Sequence, residues 1–117
     1  MLPRLRPPPR YRYRILYVGR SHALIKALED GLKELSCLAS RCPADAVWAA
    51  RVMIRGENRY DVFLLDEVFA GTSGEELAHF ALSFAHRART PTIIVKESDD
   101  VESLVENVRR LLCAGDV

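Results

Sequence analysis

Short apolar runs alternate with helix-period segments four times along this 117-residue chain. No other feature limits its possible folds as much. The first run, Tyr11 to Val18, ends in Ile15-Leu16-Tyr17-Val18 and is closed by Gly19, the pattern of a buried strand. Ser21 is placed to cap a helix that carries Leu24, Leu28, Leu32 and Leu35 at helical spacing. A short strand is expected over residues 36–40. Pro43 then opens a second helix with Ala46, Val47, Ala50, Met53 and Ile54 on one face and Gly56 at its end. Asp61-Val62-Phe63-Leu64-Leu65-Asp66 is apolar on both faces until its last residue, as a central parallel strand should be. Gly71 and Gly74 mark a turn. Ser73 and Glu76 are spaced as a capping box for a helix through Leu77, Phe80, Ala81 and Phe84. Pro91 precedes a further strand, Thr92-Ile93-Ile94-Val95. Asp99 and Glu102 are spaced as a second capping box, opening a last helix with Val101, Leu104, Val105, Val108, Leu111 and Leu112 on its apolar face and Gly115 at its end.

This order predicts an α/β protein with a parallel sheet covered on both faces, a three-layer α/β/α architecture. Right-handed crossovers leave few arrangements. Functional groups in such folds gather at the carboxyl ends of the strands. Those ends hold Gly19-Arg20, Asp66-Glu67 and Lys96-Glu97. Apolar residues make up 49% and charged residues 28%, which suffices for a core and excludes the disordered and collagen-like classes. No apolar run approaches the length of a membrane span, and no apolar segment of the secretory type follows the first arginines. Cys37, Cys42 and Cys113 are odd in number and not spaced as a disulfide framework, so a reducing, cytoplasmic setting with no membrane role is expected.

Charge is distributed unevenly. Residues 1–20 hold six arginines and no acid, while residues 21–117 hold 11 bases against 16 acids, a net of −5. With Pro3, Pro7, Pro8 and Pro9 in the same head, residues 1–10 are expected to be an extended tail and residues 11–117 the folded domain. A basic tail can contact an acidic partner or nucleic acid. The cysteines and His22, His79 and His86 form no recognised metal motif. Gly19-Arg20-Ser21-His22 follows a first strand but lacks both phosphate-loop patterns. No nucleophile–base pair or metal set emerges, so no enzymatic activity, metal or cofactor is expected.

The stretch Tyr60 to Leu77, YDVFLLDEVFAGTSGEEL, resembles the receiver domain of bacterial response regulators. The resemblance extends over roughly residues 13–113. It implies a flavodoxin-like (CheY-like) fold in which Asp66 stands at the phospho-acceptor position, and Gly71, Ser73 and Gly74 form the turn and helix cap that follow it. Ala70 stands where the family usually has proline. Receivers end their first strand with an acidic pair that holds Mg²⁺; Gly19 and Arg20 occupy those places. Counted from Asp66, Lys96 falls where a fourth strand normally ends in Thr or Ser; counted back from the last helix, it falls on the fifth-strand lysine, with Glu97 in place of proline. Either way about one helix and one strand are missing, so the resemblance is to a shortened, degenerate receiver with a four-stranded sheet in the order 2-1-3-4.

The chemistry follows from these departures. Acyl-phosphate formation needs a nucleophile, a divalent cation and screening of the phosphoryl oxygens. Asp66 and Glu67 remain as oxygen donors, but the acidic pair is gone and Arg20 cannot shed its charge. Gly19, Arg20, Glu67 and Lys96 are therefore the candidate replacements for metal and phosphate contacts. Arg20 or Lys96 is expected to pair with Asp66; the blander alternative leaves all three solvated at the edge. The expected function is a non-catalytic signalling and protein-interaction module. The alternatives are a genuine phospho-receiver that uses Mg²⁺ at Asp66, and a nucleic-acid accessory protein that uses the basic tail. Thr92, Ile93, Ile94 and Val95 would form an open, apolar sheet edge, which invites a homodimer or another protein partner. The alternative cover is residues 11–14 or the basic head.

Overall fold

The computed structural model describes residues 11–43, 45–69 and 71–114. The Arg/Pro-rich tail, Ala70 and Gly115 lie outside the described residues, and so do the expectations that fall on them. Among the described residues, six strands and four α-helices follow in the order β1 (Tyr13–Val18), α1 (His22–Gly31), β2 (Cys37–Cys42), α2 (Val47–Arg55), β3 (Val62–Asp66), β4 (Val68–Phe69), β5 (Thr72–Ser73), α3 (Gly74–Leu82), β6 (Thr92–Val95) and α4 (Val101–Ala114). Short 3-10 turns cover Lys33–Leu35 and Ala85–Arg87.

The main sheet is parallel, in the order β2-β1-β3-β6. That is the expected 2-1-3-4 arrangement, with β6 as its fourth strand. Because β6 pairs directly with β3, Lys96 directly follows the strand that neighbours the Asp66 strand. β1 lies inside the sheet, between β2 and β3, and so residues 13 and 14 cannot cover the β6 edge. The main chain of Arg12 is directed the same way, donating to Ser36 O at 2.9 Å.

The pure apolar runs of β1 and β3 bury side chains on both faces. On one face Ile15, Tyr17 and Leu64 pack with Leu24 and Leu28 of α1 and Leu104 and Val108 of α4. On the other, Leu16, Val18, Phe63 and Leu65 pack with Ala50 and Ile54 of α2 and Leu77 and Ala81 of α3. The pleat sends alternate residues to opposite cores, and so an unbroken apolar run is what a covered central strand requires.

Caps fix most helix starts. The Ser21 hydroxyl accepts from Leu24 N–H at 3.0 Å, and the Ser73 hydroxyl accepts from Glu76 N–H at 3.2 Å. The last helix differs from expectation. Asp100 caps it, accepting from Ser103 N–H at 3.1 Å, while Asp99 accepts from Lys96 N–H at 2.8 Å and closes the preceding turn. Both aspartates suit such a role, and spacing to Glu102 alone does not choose between them. The expected turn over Gly71–Gly74 includes the second strand of the small β4–β5 hairpin, with Gly71 at φ +79°.

One polar side chain is built into the second core. Arg87 is 3% exposed. Its guanidinium donates to Ile54 O at 2.9 Å, Met53 O at 3.3 Å and Gly56 O at 2.9 Å. Met53 and Ile54 lie in the last turn of α2 and Gly56 is its C-cap, where carbonyls have no partner within the helix. The same group lies over the rings of Tyr60 and Phe63, at 5.1 and 5.5 Å from their centroids.

Candidate functional site

The strands place Asp66 where the topology forms a crevice. The chain runs from β1 to β2 on one side and then crosses back past β1 to β3 on the other, and binding groups in parallel sheets collect outside the carboxyl ends where the direction reverses. A cleft of about 730 Å³ opens there. Asp66, Glu67, Arg20 and Lys96 stand on its walls, with Leu24, Phe69 and Leu104 among its apolar lining.

Both oxygens of Asp66 have donors. The Tyr17 hydroxyl donates to Oδ1 at 2.7 Å, and the Arg20 main-chain N–H donates to Oδ2 at 2.9 Å. Ser21 N–H in turn donates to the Tyr17 hydroxyl oxygen at 3.0 Å. The phenol thus accepts from the start of α1 and donates to the end of β3. Tyr17 has no exposed surface. A buried hydroxyl needs a partner, and a bond to an ionised carboxylate contributes about 1.5–3 kcal/mol.

The charge pairing expected of Arg20 or Lys96 is therefore corrected. Among the described residues, neither cation makes an ion pair with Asp66. A neutral phenol and a main-chain amide take the carboxylate instead, and the Arg20 side chain stays exposed. Lys96 contributes its main chain to the 96–99 turn, while its side chain is exposed at the rim. Glu67 is exposed too, with its N–H on Val95 O at 2.8 Å and its carbonyl accepting from Gly74 N–H at 3.1 Å.

The two glycines at the site are required by close approach. A Cβ on Gly19 would lie 2.3 Å from the Tyr17 hydroxyl oxygen and 2.4 Å from Asp66 Oδ1. Its carbonyl accepts from Arg41 Nε at 3.2 Å and its N–H donates to Cys42 O at 3.1 Å, so the loop cannot simply retreat. A Cβ on Gly74 would lie 2.3 Å from the main-chain oxygen of Asp66. That glycine lets α3 start directly against the end of β3.

Burial pushes the pKa of the Tyr17 hydroxyl well above the ordinary tyrosine value; the Ser21 N–H opposes this rise and the bond to Asp66 adds to it. A phenol in the unfolded chain ionises near pH ~10. The folded chain holds the proton longer, so stability present below about pH 10 falls as pH rises beyond it. Tyr17→Phe should therefore remove none of the tyrosinate absorbance that develops in the folded protein near pH ~10. A loss of one tyrosine's worth of that signal would show that the hydroxyl titrates freely.

Tyr17 was legible only as a core residue. Its signal is a single hydroxyl in an otherwise aliphatic strand end, two residues before a glycine. Nothing in the sequence names its partner.

No family model matches the chain, and no curated protein does. Solved structures do. A Francisella response regulator receiver domain superposes with a TM-score of 0.65 at 15% identity, covering 89% of this chain and 99% of that one. The receiver domain of a sensor histidine kinase from Pseudomonas aeruginosa, solved with magnesium coordinated in its active-site cleft, gives 0.63 at 17% identity, covering 86% and 98%. A response regulator receiver protein from Pseudomonas putida gives 0.57 at 26% identity, covering 88% and 82%. The chain has the receiver fold. Among the described residues its sheet has four strands, with α4 following β6 after one short turn and packing beside α1.

The receiver fold implies a divalent cation beside the acceptor aspartate, and the residues present do not fit one. Mg²⁺ requires several oxygen ligands in near-octahedral array. Here both Asp66 oxygens accept hydrogen bonds, Gly19 has no side chain and no space for one, and the following residue is an arginine. No helix among the described residues is long and apolar enough to cross a membrane.

Proposed function

We propose that this chain is a non-catalytic signalling module of the receiver fold, which acts by binding protein partners and does not take phosphate at Asp66 by the Mg²⁺-dependent route. The Tyr17–Asp66 hydrogen bond carries this reading. Attack by a carboxylate on phosphorus needs a free oxygen and a counter-charge for the incoming phosphoryl group. The phenol takes one oxygen and the Arg20 N–H the other, and the phenol fills the space that a side chain at position 19 would need. Asp66 then works as a structural acceptor that ties β1, β3 and the start of α1 together.

The second reading is a true phospho-receiver. It is favoured by the position of Asp66 at the strand end, in an open cleft beside Glu67. Incubation with acetyl phosphate and Mg²⁺, followed by intact-mass measurement, separates the two. The expected result is no phosphoryl adduct on the wild-type chain. A rapidly formed adduct that disappears in Asp66→Asn would establish the second reading and end the first.

The surface available for partners includes β6, which is one of the two outer strands of the sheet. Thr92 is exposed, Ile93 and Ile94 are half-buried and Val95 is buried. An edge of this kind supports strand addition by another chain.

A further inference from the structure

We infer that the outer edge of β6 pairs antiparallel with β6 of a second copy, about a two-fold axis at Ile93. The inference rests on the reading of the chain as a protein-binding module and names its partner.

The hydrogen-bond directions of β6 define the pairing. Phe63 N–H donates to Pro91 O at 2.9 Å, and Glu67 N–H donates to Val95 O at 2.8 Å. A parallel ladder alternates, so Pro91, Ile93 and Val95 turn their main-chain groups toward β3, while Thr92 and Ile94 turn theirs outward. Pro91 lacks an N–H, but it is an inward position, and the outer edge loses nothing by it. Beyond Ile94, Lys96 N–H is already taken by Asp99. The groups left to a new strand are those of Thr92 and Ile94.

A two-fold axis at Ile93 sets Thr92 opposite Ile94 of the second copy, and Ile94 opposite its Thr92. Both outward residues of each chain are then satisfied. An axis at Thr92 or at Ile94 would pair one outward residue with itself and leave the other facing a turn. The chosen register also carries Arg89 toward Glu97 of the second copy, at both ends of the pair. Both side chains are exposed, and among the described residues neither has an ion-pair or hydrogen-bond partner. No charged residue lies between Arg89 and Lys96 to oppose alignment. The edge is thus complementary to itself in main-chain bonding and in charge. The strand is short, so exchange between monomer and dimer is expected rather than a permanent assembly.

The test is sedimentation of the full chain over a range of concentrations, with oxidative cross-linking in a Cys113→Ser background. Cys42 is buried, and burial raises the Cys37 thiol to about 11, so neither competes at neutral pH. Ile93 becomes a non-hydrogen-bonded pair at the axis, where Cα atoms lie about 4.5 Å apart, within disulfide reach. Ile93→Cys should cross-link and Ile94→Cys should not. Thr92→Pro removes an outward N–H from each chain without touching the β3 ladder, and should weaken self-association about tenfold. Arg89→Glu and Glu97→Arg should each weaken it, and the double exchange should restore it. A wild-type chain that stays monomeric, or cross-linking through position 94 in place of 93, would overturn the inference. Neither result touches the account of Asp66, whose failure would be seen as phosphoryl transfer.

Discussion

Replacing Arg87 with methionine should destabilise the protein by about 3 kcal/mol, lowering the thermal midpoint by roughly 10–20 °C. The guanidinium carries hydrogen bonds to three carbonyls at the end of α2 and lies against two aromatic rings. Methionine keeps much of the apolar contact but leaves the Met53 and Ile54 carbonyls facing a side chain that cannot donate, while Gly56 O keeps the His86 ring nitrogen at 2.8 Å. Bonds to a charged donor contribute more than neutral ones, and an unpaired buried acceptor adds its own desolvation cost. Arg87→Lys should recover little, because a point charge cannot span three acceptors or lie flat on Tyr60 and Phe63. Urea and thermal denaturation of the three proteins check this. A change below about 0.5 kcal/mol, the size of an ordinary surface substitution, would remove Arg87 from the list of residues that hold the fold.

Gly19→Asp should cost about 2–3 kcal/mol, although it restores the residue type that receivers carry there. Its Cβ meets the Tyr17 ring and Asp66 Oδ1 well inside contact distance. The ring has no exposed surface and cannot swing into solvent. A second carboxylate beside Asp66 adds like-charge repulsion. Tyr17→Val should be destabilising alone, through the cavity it leaves and the lost bond to Asp66. Combined with Gly19→Asp, it removes the obstruction, and so the double variant should be more stable than the sum of the single changes by more than 1 kcal/mol. Denaturation of the four proteins of this cycle measures the coupling. Strict additivity would mean that Tyr17 and position 19 do not share the space.

The fold was legible because both covered strands announce themselves. Ile15 to Val18 and Val62 to Leu65 are unbroken apolar runs, and only a sheet with helices on both faces buries every residue of such a run. Strand order was legible only through the receiver resemblance, since crossover handedness by itself leaves several arrangements. Asp66 was legible as well, because it ends a buried strand beside the turn glycines. Its partners were not. Tyr17 and Asp66 are 49 residues apart, and a tyrosine in an apolar strand reads as filling. The sequence drew attention to the charges of Arg20 and Lys96, whereas Arg20 serves through its main chain, which any residue but proline supplies. Arg87 was missed for a similar reason. An arginine between a helix and a strand reads as solvated, and only tertiary packing brings the end of α2 to it. The choice of Asp100 over Asp99 as the last helix cap turned on one residue of register, which spacing rules do not resolve.

The Tyr17 phenol and Gly19 also account for each other. A hydroxyl at this place leaves no room for a side chain at 19, and without an acid there the aspartate needs a donor of another kind. The hydrogen bonds around the Tyr17 hydroxyl and Asp66 tie β1, β3 and the start of α1 at one atom cluster.

The most direct measurement is a Mg²⁺ titration of the wild-type chain at neutral pH, followed through the amide resonances of Gly19, Arg20 and Asp66. With both carboxylate oxygens engaged, no saturable shift should develop through millimolar Mg²⁺. Saturable Mg²⁺ binding at those resonances, abolished in Asp66→Asn, would contradict the account.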